Sequence, residues 1–228
     1  MTRIIAIIIA VTLLIYPVAS VDAESKPPAI LDSIAGLAWT TFDPYNEGAA
    51  GEVRNHCSTT AINQKMAYWL TAAHCVTYWG ADPEAPWESV VEGYDYQING
   101  HAATVVYLDV RKDLAILQTV GYSPKAIPIA KKGPRYLDEV TVAGYPLGWD
   151  VPAITRGYVA TPVIVFPGRA PYTIFQVPGA PGSSGSSVLN KKGQIVSVVQ
   201  IGWGNTFSPV MGGATFESLI EFLAPYRP

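Results

Sequence analysis

The sequence predicts an all-β protein closed by one C-terminal helix, and three observations carry that prediction. Beyond about Leu37 the chain alternates short runs rich in Val, Ile, Thr, Tyr and Trp with punctuation by Gly, Pro, Asn and Asp, which is the texture of strands and turns. Helical periodicity is convincing only near the end, where Phe216, Leu219, Ile220 and Leu223 fall at i, i+3, i+4 and i+7. A composition of 49% hydrophobic and 14% charged residues belongs to a chain that buries a sizeable core.

The N-terminus comes first. Arg3 is followed by an apolar run from Ile4 to Tyr16, the pattern of a secretory signal peptide. The run is shorter than the roughly 18 to 20 residues of a spanning helix, and Pro17 closes it. Small residues offer cleavage after Val18-Ala19-Ser20 or, preferred, after Val21-Asp22-Ala23. The expected organisation is therefore a signal peptide at 1–23 and a mature chain at 24–228, secreted or periplasmic, with no stable membrane association after cleavage. Some 205 residues remain, enough for one large all-β domain or two small lobes, and a monomer is expected. A net charge of −3 is too mild to argue for nucleic acid or an anionic membrane as partner.

Candidate strands then follow at 57–62, 67–71, 89–99, 103–110, 114–118, 139–144, 154–165, 172–177, 187–189 and 194–201, which suggests barrels or a sandwich. Residues 63–65 and 190–193 read as hairpin turns, with Gly193 available for positive φ. The stretch 121–135, holding Pro124, Pro128, Gly133 and Pro134, is the candidate connector between two halves; the alternative is a long loop within one sandwich. Thr215 is placed to cap the helix and Pro225 to end it. Cys57 and Cys75 are the only cysteines, and in an exported protein a lone pair is expected to close, for about 3 kcal/mol at this loop length.

Three separate stretches hold what covalent acyl transfer requires: a nucleophile, a base to take its proton and an acid to orient that base. Leu70-Thr71-Ala72-Ala73-His74-Cys75 places a histidine just after a strand, beside a cysteine that would staple it. Asp113-Leu114-Ala115-Ile116-Leu117 begins with a carboxylate where a strand becomes buried, and a buried carboxylate needs a donor such as an imidazole Nδ1–H. Asp109 is the rival acid, but it sits in an alternating strand and looks surface-facing. Pro181-Gly182-Ser183-Ser184-Gly185-Ser186-Ser187 holds four serines. Only Ser184 has glycine two before and one after, as a tight turn with backbone oxyanion donors requires; the donors would be the amides of Gly182 and Ser184.

In this order the three motifs resemble the trypsin-like serine proteases, with their TAAHC, D-[IL]-A-L-L-like and G-D-S-G-G-P-like signatures, over about 57–204. The resemblance implies His74 as general base and acid, Asp113 as its orienter, Ser184 as nucleophile, Gly182 and Ser184 as oxyanion donors, and Cys57–Cys75 as the histidine-loop disulfide. It also implies a chymotrypsin-like fold of two antiparallel six-stranded β-barrels, at about 33–121 and 135–213, with a C-terminal helix at about 215–224, acting as a secreted serine endopeptidase on polypeptides.

The departures are informative. Ser183 stands where many animal members have an aspartate that pairs with a newly cut N-terminus, and no Ile-Val-Gly-Gly start is visible. Lacking both implies an enzyme that needs no such activation, similar in style to bacterial trypsin-like proteases and glutamyl endopeptidases. The family's pocket base falls on Pro178 and its wall on Val199, Gln200, Ile201 and Gly202. No acid stands there to favour Arg or Lys, and Val199 replaces the histidine of glutamyl endopeptidases. A neutral pocket for aliphatic or aromatic side chains remains.

Other classes meet specific obstacles. An α/β-hydrolase needs Gly-x-Ser-x-Gly and a histidine after its serine, yet Ser186 fills the second glycine position and His56, His74 and His101 all precede Ser184. A subtilisin-like order needs alternating helices that are missing. Three scattered histidines without His-Glu-x-x-His offer no metal site, so neither metal nor cofactor is expected. His56 and His101 read as polar residues without a role, and the many tryptophans and tyrosines as half-buried strand residues rather than a carbohydrate platform. The competing function is a secreted, catalytically silent binding module on the same fold.

Overall fold

The computed structural model describes residues 29–40, 54–77, 82–91, 95–203 and 208–226. The expected signal peptide and the side chain of His56 lie outside the described residues. Twelve strands form two closed antiparallel barrels. The first contains β1 (Ile34–Thr40), β2 (Arg54–Asn63), β3 (Tyr68–Thr71), β4 (Asp95–Ile98), β5 (His101–Asp109) and β6 (Leu114–Thr119), in the order β1-β2-β3-β6-β5-β4. The second contains β7 (Glu139–Gly144), β8 (Ala153–Ile164), β9 (Tyr172–Gln176), β10 (Ser187–Asn190), β11 (Ile195–Trp203) and β12 (Val210–Ala214), in the order β10-β11-β12-β9-β8-β7. Barrels rather than a sandwich, and the predicted number of strands in each, are what the chain adopts.

Each barrel has its own apolar filling, as closure of a sheet requires. Leu37, Trp69, Ile98 and Leu117 fill the first, and Val140, Val159, Phe175, Val188 and Met211 the second. A third cluster joins them: Ile34, Leu70 and Ile116 of the first barrel meet Leu189, Ile195 and Val198 of the second. The helix α1 (Phe216–Leu223) seals this seam with Leu219, Phe222 and Leu223, and Phe222 stacks on Tyr107 with ring centroids 4.9 Å apart. Thr215 caps α1 by accepting the Ser218 amide at 3.2 Å, as expected. The buried stripe is centred on Leu219 and Phe222 instead of Ile220, which is only half-buried. Residues 121–135 do connect the barrels: the Ile127 amide donates to Ala61 O, and Ala130 to Ile195 O.

Two strands escape the sequence pattern. β1 is buried along most of its length with no alternation to betray it, and β12 reads Val-Met-Gly-Gly-Ala. The expected strand at 89–99 is divided differently: Pro86–Ser89 is a 3-10 turn begun by proline, and β4 starts at Asp95. Of the tryptophans, Trp69 is fully buried while Trp87, Trp149 and Trp203 are exposed, so core packing accounts for only part of the aromatic content.

Candidate active site

β3 ends at Thr71, and a single 3-10 turn, Ala73–Cys75, carries His74 outward while Ala73 and Cys75 stay buried. The turn is held from both sides. Cys75 is disulfide-bonded to Cys57 of β2, with Cα atoms 6.1 Å apart, which is the expected pairing. Asp113 Oδ1 accepts the His74 amide at 2.8 Å. Asp113 occupies the β5–β6 turn at φ 51°, a left-handed conformation that costs a non-glycine residue free energy and is tolerated where the surroundings impose it. There the carboxylate closes on the imidazole as well: Nδ1 lies 2.9 Å from Oδ2 and 3.1 Å from Oδ1.

A carboxylate only accepts, so Nδ1 carries the proton and the neutral ring presents the Nε2 lone pair outward. Burial on its packed side lowers the imidazole pKa, but the hydrogen bond and the negative charge of Asp113 outweigh it and leave His74 raised above the ordinary 6.5. Asp109 is engaged elsewhere, 2.9 Å from Lys112 Nζ, and His101 stacks on Tyr122 with centroids 4.5 Å apart.

The third stretch lies between β9 and β10. Ser183, Ser186 and Ser187 are buried, whereas Ser184 stays partly accessible. The hydroxyls of Ser186 and Ser187 are shut inside with no hydrogen-bond partner among the described residues. Ser183 caps its own turn: its amide donates to Ala180 O at 2.9 Å and its hydroxyl accepts the Ala180 amide at 3.2 Å. Gly182 and Gly185 both have left-handed φ, 92° and 82°. Among the described residues neither the Gly182 nor the Ser184 amide donates a hydrogen bond, while the neighbouring Gly185 amide donates to Val199 O at 2.8 Å.

Two short bonded routes connect this loop to the His74–Asp113 pair. The Ser58 amide donates to Ser184 O at 2.7 Å, and Ser58 follows Cys57, the disulfide partner of the residue after His74. On the other side Gln200, beside Val199 in β11, donates from Nε2 to Lys112 O at 2.6 Å and to Asp113 O at 2.8 Å.

Ser184 borders a cavity of about 210 Å³ lined by Ala180, Val199, Ile201, Gly202, Ser208 and Met211 among others. No charged side chain is among the described residues that line it. Two of its lining residues pack tightly together, since a Cβ on Gly179 would sit 2.1 Å from Met211 Sδ. Of the pocket residues expected from sequence, Val199, Ile201 and Gly202 line this cavity; Pro178 does not, and Gln200 belongs to the neighbouring cleft. Met211 and Ser208 were not anticipated: Met211 reaches the pocket through β12, the strand the pattern concealed, and Ser208, just before it, through a bridge to Gly179. The neighbouring cleft is open, about 1190 Å³, and both the His74–Asp113 pair and the rings of Phe166 and Tyr172 line it. Those two rings cluster with Trp203 at centroid distances of 6.1 to 6.4 Å.

The profile of the family described as "Trypsin-like peptidase domain" matches residues 57–198. Among solved structures, the Rv3671c protease from M. tuberculosis in its active form is similar to this chain with a TM-score of 0.64 at 19% identity, over 86% of this chain and 81% of that one. The HtrA-type protease AlgW, solved with a decapeptide, is similar with a TM-score of 0.66 at 15% identity, over 86% of this chain and 65% of that one. At these identities the likeness is one of fold. No curated protein sequence matches.

Proposed function

The chain belongs to the family of trypsin-like peptidase domains, a serine peptidase family acting on polypeptides, and from that premise we propose that it is an exported serine endopeptidase working through His74, Asp113 and Ser184. The observation that carries the reading is the hydrogen-bonded His74–Asp113 pair. In the proposed cycle His74 Nε2 takes the Ser184 hydroxyl proton as Oγ attacks the scissile carbonyl, and the amides of Gly182 and Ser184 stabilise the resulting oxyanion. The imidazolium then gives that proton to the leaving amine, an acyl-enzyme remains, and water activated by the same imidazole releases it. Asp113 holds the ring in the tautomer that can act as base and stabilises its protonated form. The uncharged 210 Å³ cavity would take one neutral side chain of the substrate, and the cleft walled by Phe166 and Tyr172 would receive the residues preceding it. The disulfide agrees with an oxidising destination, and no described helix is long and apolar enough to cross a membrane.

The test is labelling by a fluorophosphonate combined with turnover of a peptide library. The mature protein should be labelled and should cleave after uncharged residues. Ser184→Ala should abolish labelling and lower kcat by about 10⁴- to 10⁶-fold, while Ser183→Ala and Ser186→Ala leave labelling largely in place. An unlabelled, inert wild type would instead favour the silent binding module.

A further inference from the structure

One side chain outside the proposed triad ties β2 both to the loop that carries Ser184 and to the turn after β7. Ser58 lies in β2, is 1% exposed, and uses every polar group it has. Its amide donates to Ser184 O and its carbonyl accepts the Thr71 hydroxyl at 2.8 Å. Its own hydroxyl donates to Gly182 O at 2.8 Å and accepts the Tyr145 amide at 2.8 Å. We propose that the Ser58 hydroxyl is a positioning residue that keeps the two oxyanion donors facing the substrate, in place of the ion pair that activation creates in other members of the family. The inference rests on the reading of Ser184 as nucleophile and concerns what keeps its loop assembled.

Peptide bonds here are trans, so in each plane the C=O and the following N–H point opposite ways, and fixing one fixes the other. Pro181 C=O accepts the Leu147 amide at 2.6 Å, which turns the Gly182 N–H the other way. Ser183 C=O accepts the Ser186 amide at 3.0 Å, which does the same for the Ser184 N–H. The plane between these two, carrying Gly182 C=O, is the one that Ser58 Oγ grips directly. Ser58 also holds the first plane at one remove, because Leu147 belongs to the turn that Tyr145 N anchors to the Ser58 hydroxyl. That turn needs an anchor, since Leu147 itself has φ 56°. Glycines make room for these contacts: a Cβ on Gly144 would come 1.9 Å from Ser186 Oγ and 2.5 Å from Ser58 Oγ, and one on Gly185 2.1 Å from the Ser58 carbonyl oxygen. Removing the oxygen leaves the part-buried Gly182 carbonyl and the buried Tyr145 amide unpaired, and turning the 182–183 plane to relieve the first shifts the donor-bearing planes on either side of it.

The experiment compares Ser58→Ala with wild type in steady-state kinetics on a peptide substrate, in affinity for a matching peptide aldehyde, whose adduct forms the same oxyanion, and in thermal unfolding. The expected result is a kcat lowered by about 10- to 100-fold, less than the loss of an oxyanion donor outright, with aldehyde affinity falling in parallel and KM within about threefold. A kcat unchanged in the folded variant overturns the proposal, as does a rise in KM alone. Should Ser58→Ala not fold, the isosteric pair Ser58→Thr and Ser58→Val isolates the oxygen: a higher kcat in the threonine variant supports the role, and equal values overturn it. An inert wild type sinks the serine-protease reading itself, whereas an active wild type matched by its Ser58 variants sinks only this inference.

Discussion

At the scale of single residues the decisive contact is between Asp113 and His74. The acid raises the imidazole pKa against the lowering effect of burial, and the base must be neutral to accept a proton. The sign follows: activity rises with pH through the His74 pKa, so the acid limb of kcat/KM should lie above 6.5. In Asp113→Asn the raising contributions vanish and the lowering one stays, so the limb should move to lower pH. The same change lets Nδ1 face a group able to donate, which favours the wrong tautomer, and kcat should fall by about 10⁴-fold. A pH–rate profile of both proteins tests the two statements together. The pairing of His74 with Asp113 was legible because each lies in a motif whose neighbours announce its surroundings, a cysteine for one and an apolar strand for the other; the role proposed for Ser184 was read from its flanking glycines. Ser58 was not legible, because its role depends on Tyr145 and Gly182, distant in sequence and brought beside it only by the fold.

At the scale of elements the loop between β9 and β10 shows how tightly conformation and contact are joined. Gly185 has φ 82°, and any Cβ there would lie 2.1 Å from Ser58 O and 2.2 Å from Thr71 Oγ1. Both the backbone and the space forbid a side chain. Gly185→Ala should therefore cost about 2 to 4 kcal/mol and lower kcat/KM by at least about 100-fold through displacement of the loop, measured by thermal unfolding and peptide turnover. The same geometry explains why β12 escaped the sequence pattern. A Cβ on Gly212 would meet the Trp203 ring at 2.8 Å, and one on Gly213 would meet Val198 O at 2.4 Å. The strand needs glycines that propensity counts against it, and its contribution to the pocket, Met211, was hidden with it. The 3-10 turn at Pro86–Ser89 was missed for the opposite reason: Val90 and Val91 read as strand, while Pro86 begins a turn.

At the scale of the whole molecule the proposed site exists only where two barrels meet, and what holds them together matters as much as what fills each. Phe222 of α1 is 1% exposed and belongs to the cluster that contains residues of both barrels. Phe222→Ala should cost about 3 to 5 kcal/mol, a fall in melting temperature of roughly 10 °C for a chain of this size, and should loosen the seam that bears Leu70 and Leu114. Calorimetry measures the first; a drop in activity below the melting transition reports the second. The division into two lobes was readable from the proline-rich connector and the motif order, and the helix from its periodicity. Which strands neighbour one another was not, since pairing across a closed barrel depends on contacts far apart along the chain.

That closure has a kinetic side. In each barrel the ladder that closes the sheet joins distant segments, β1 with β4 across 34–40 and 95–98 and β7 with β10 across 139–144 and 187–190. Neither ladder can zip from a hairpin, so a long loop must be searched before it is rewarded. The open intermediates leave strand margins bare to other molecules. Renaturation should consequently be slow, and its yield should decline as the concentration of unfolded chains increases.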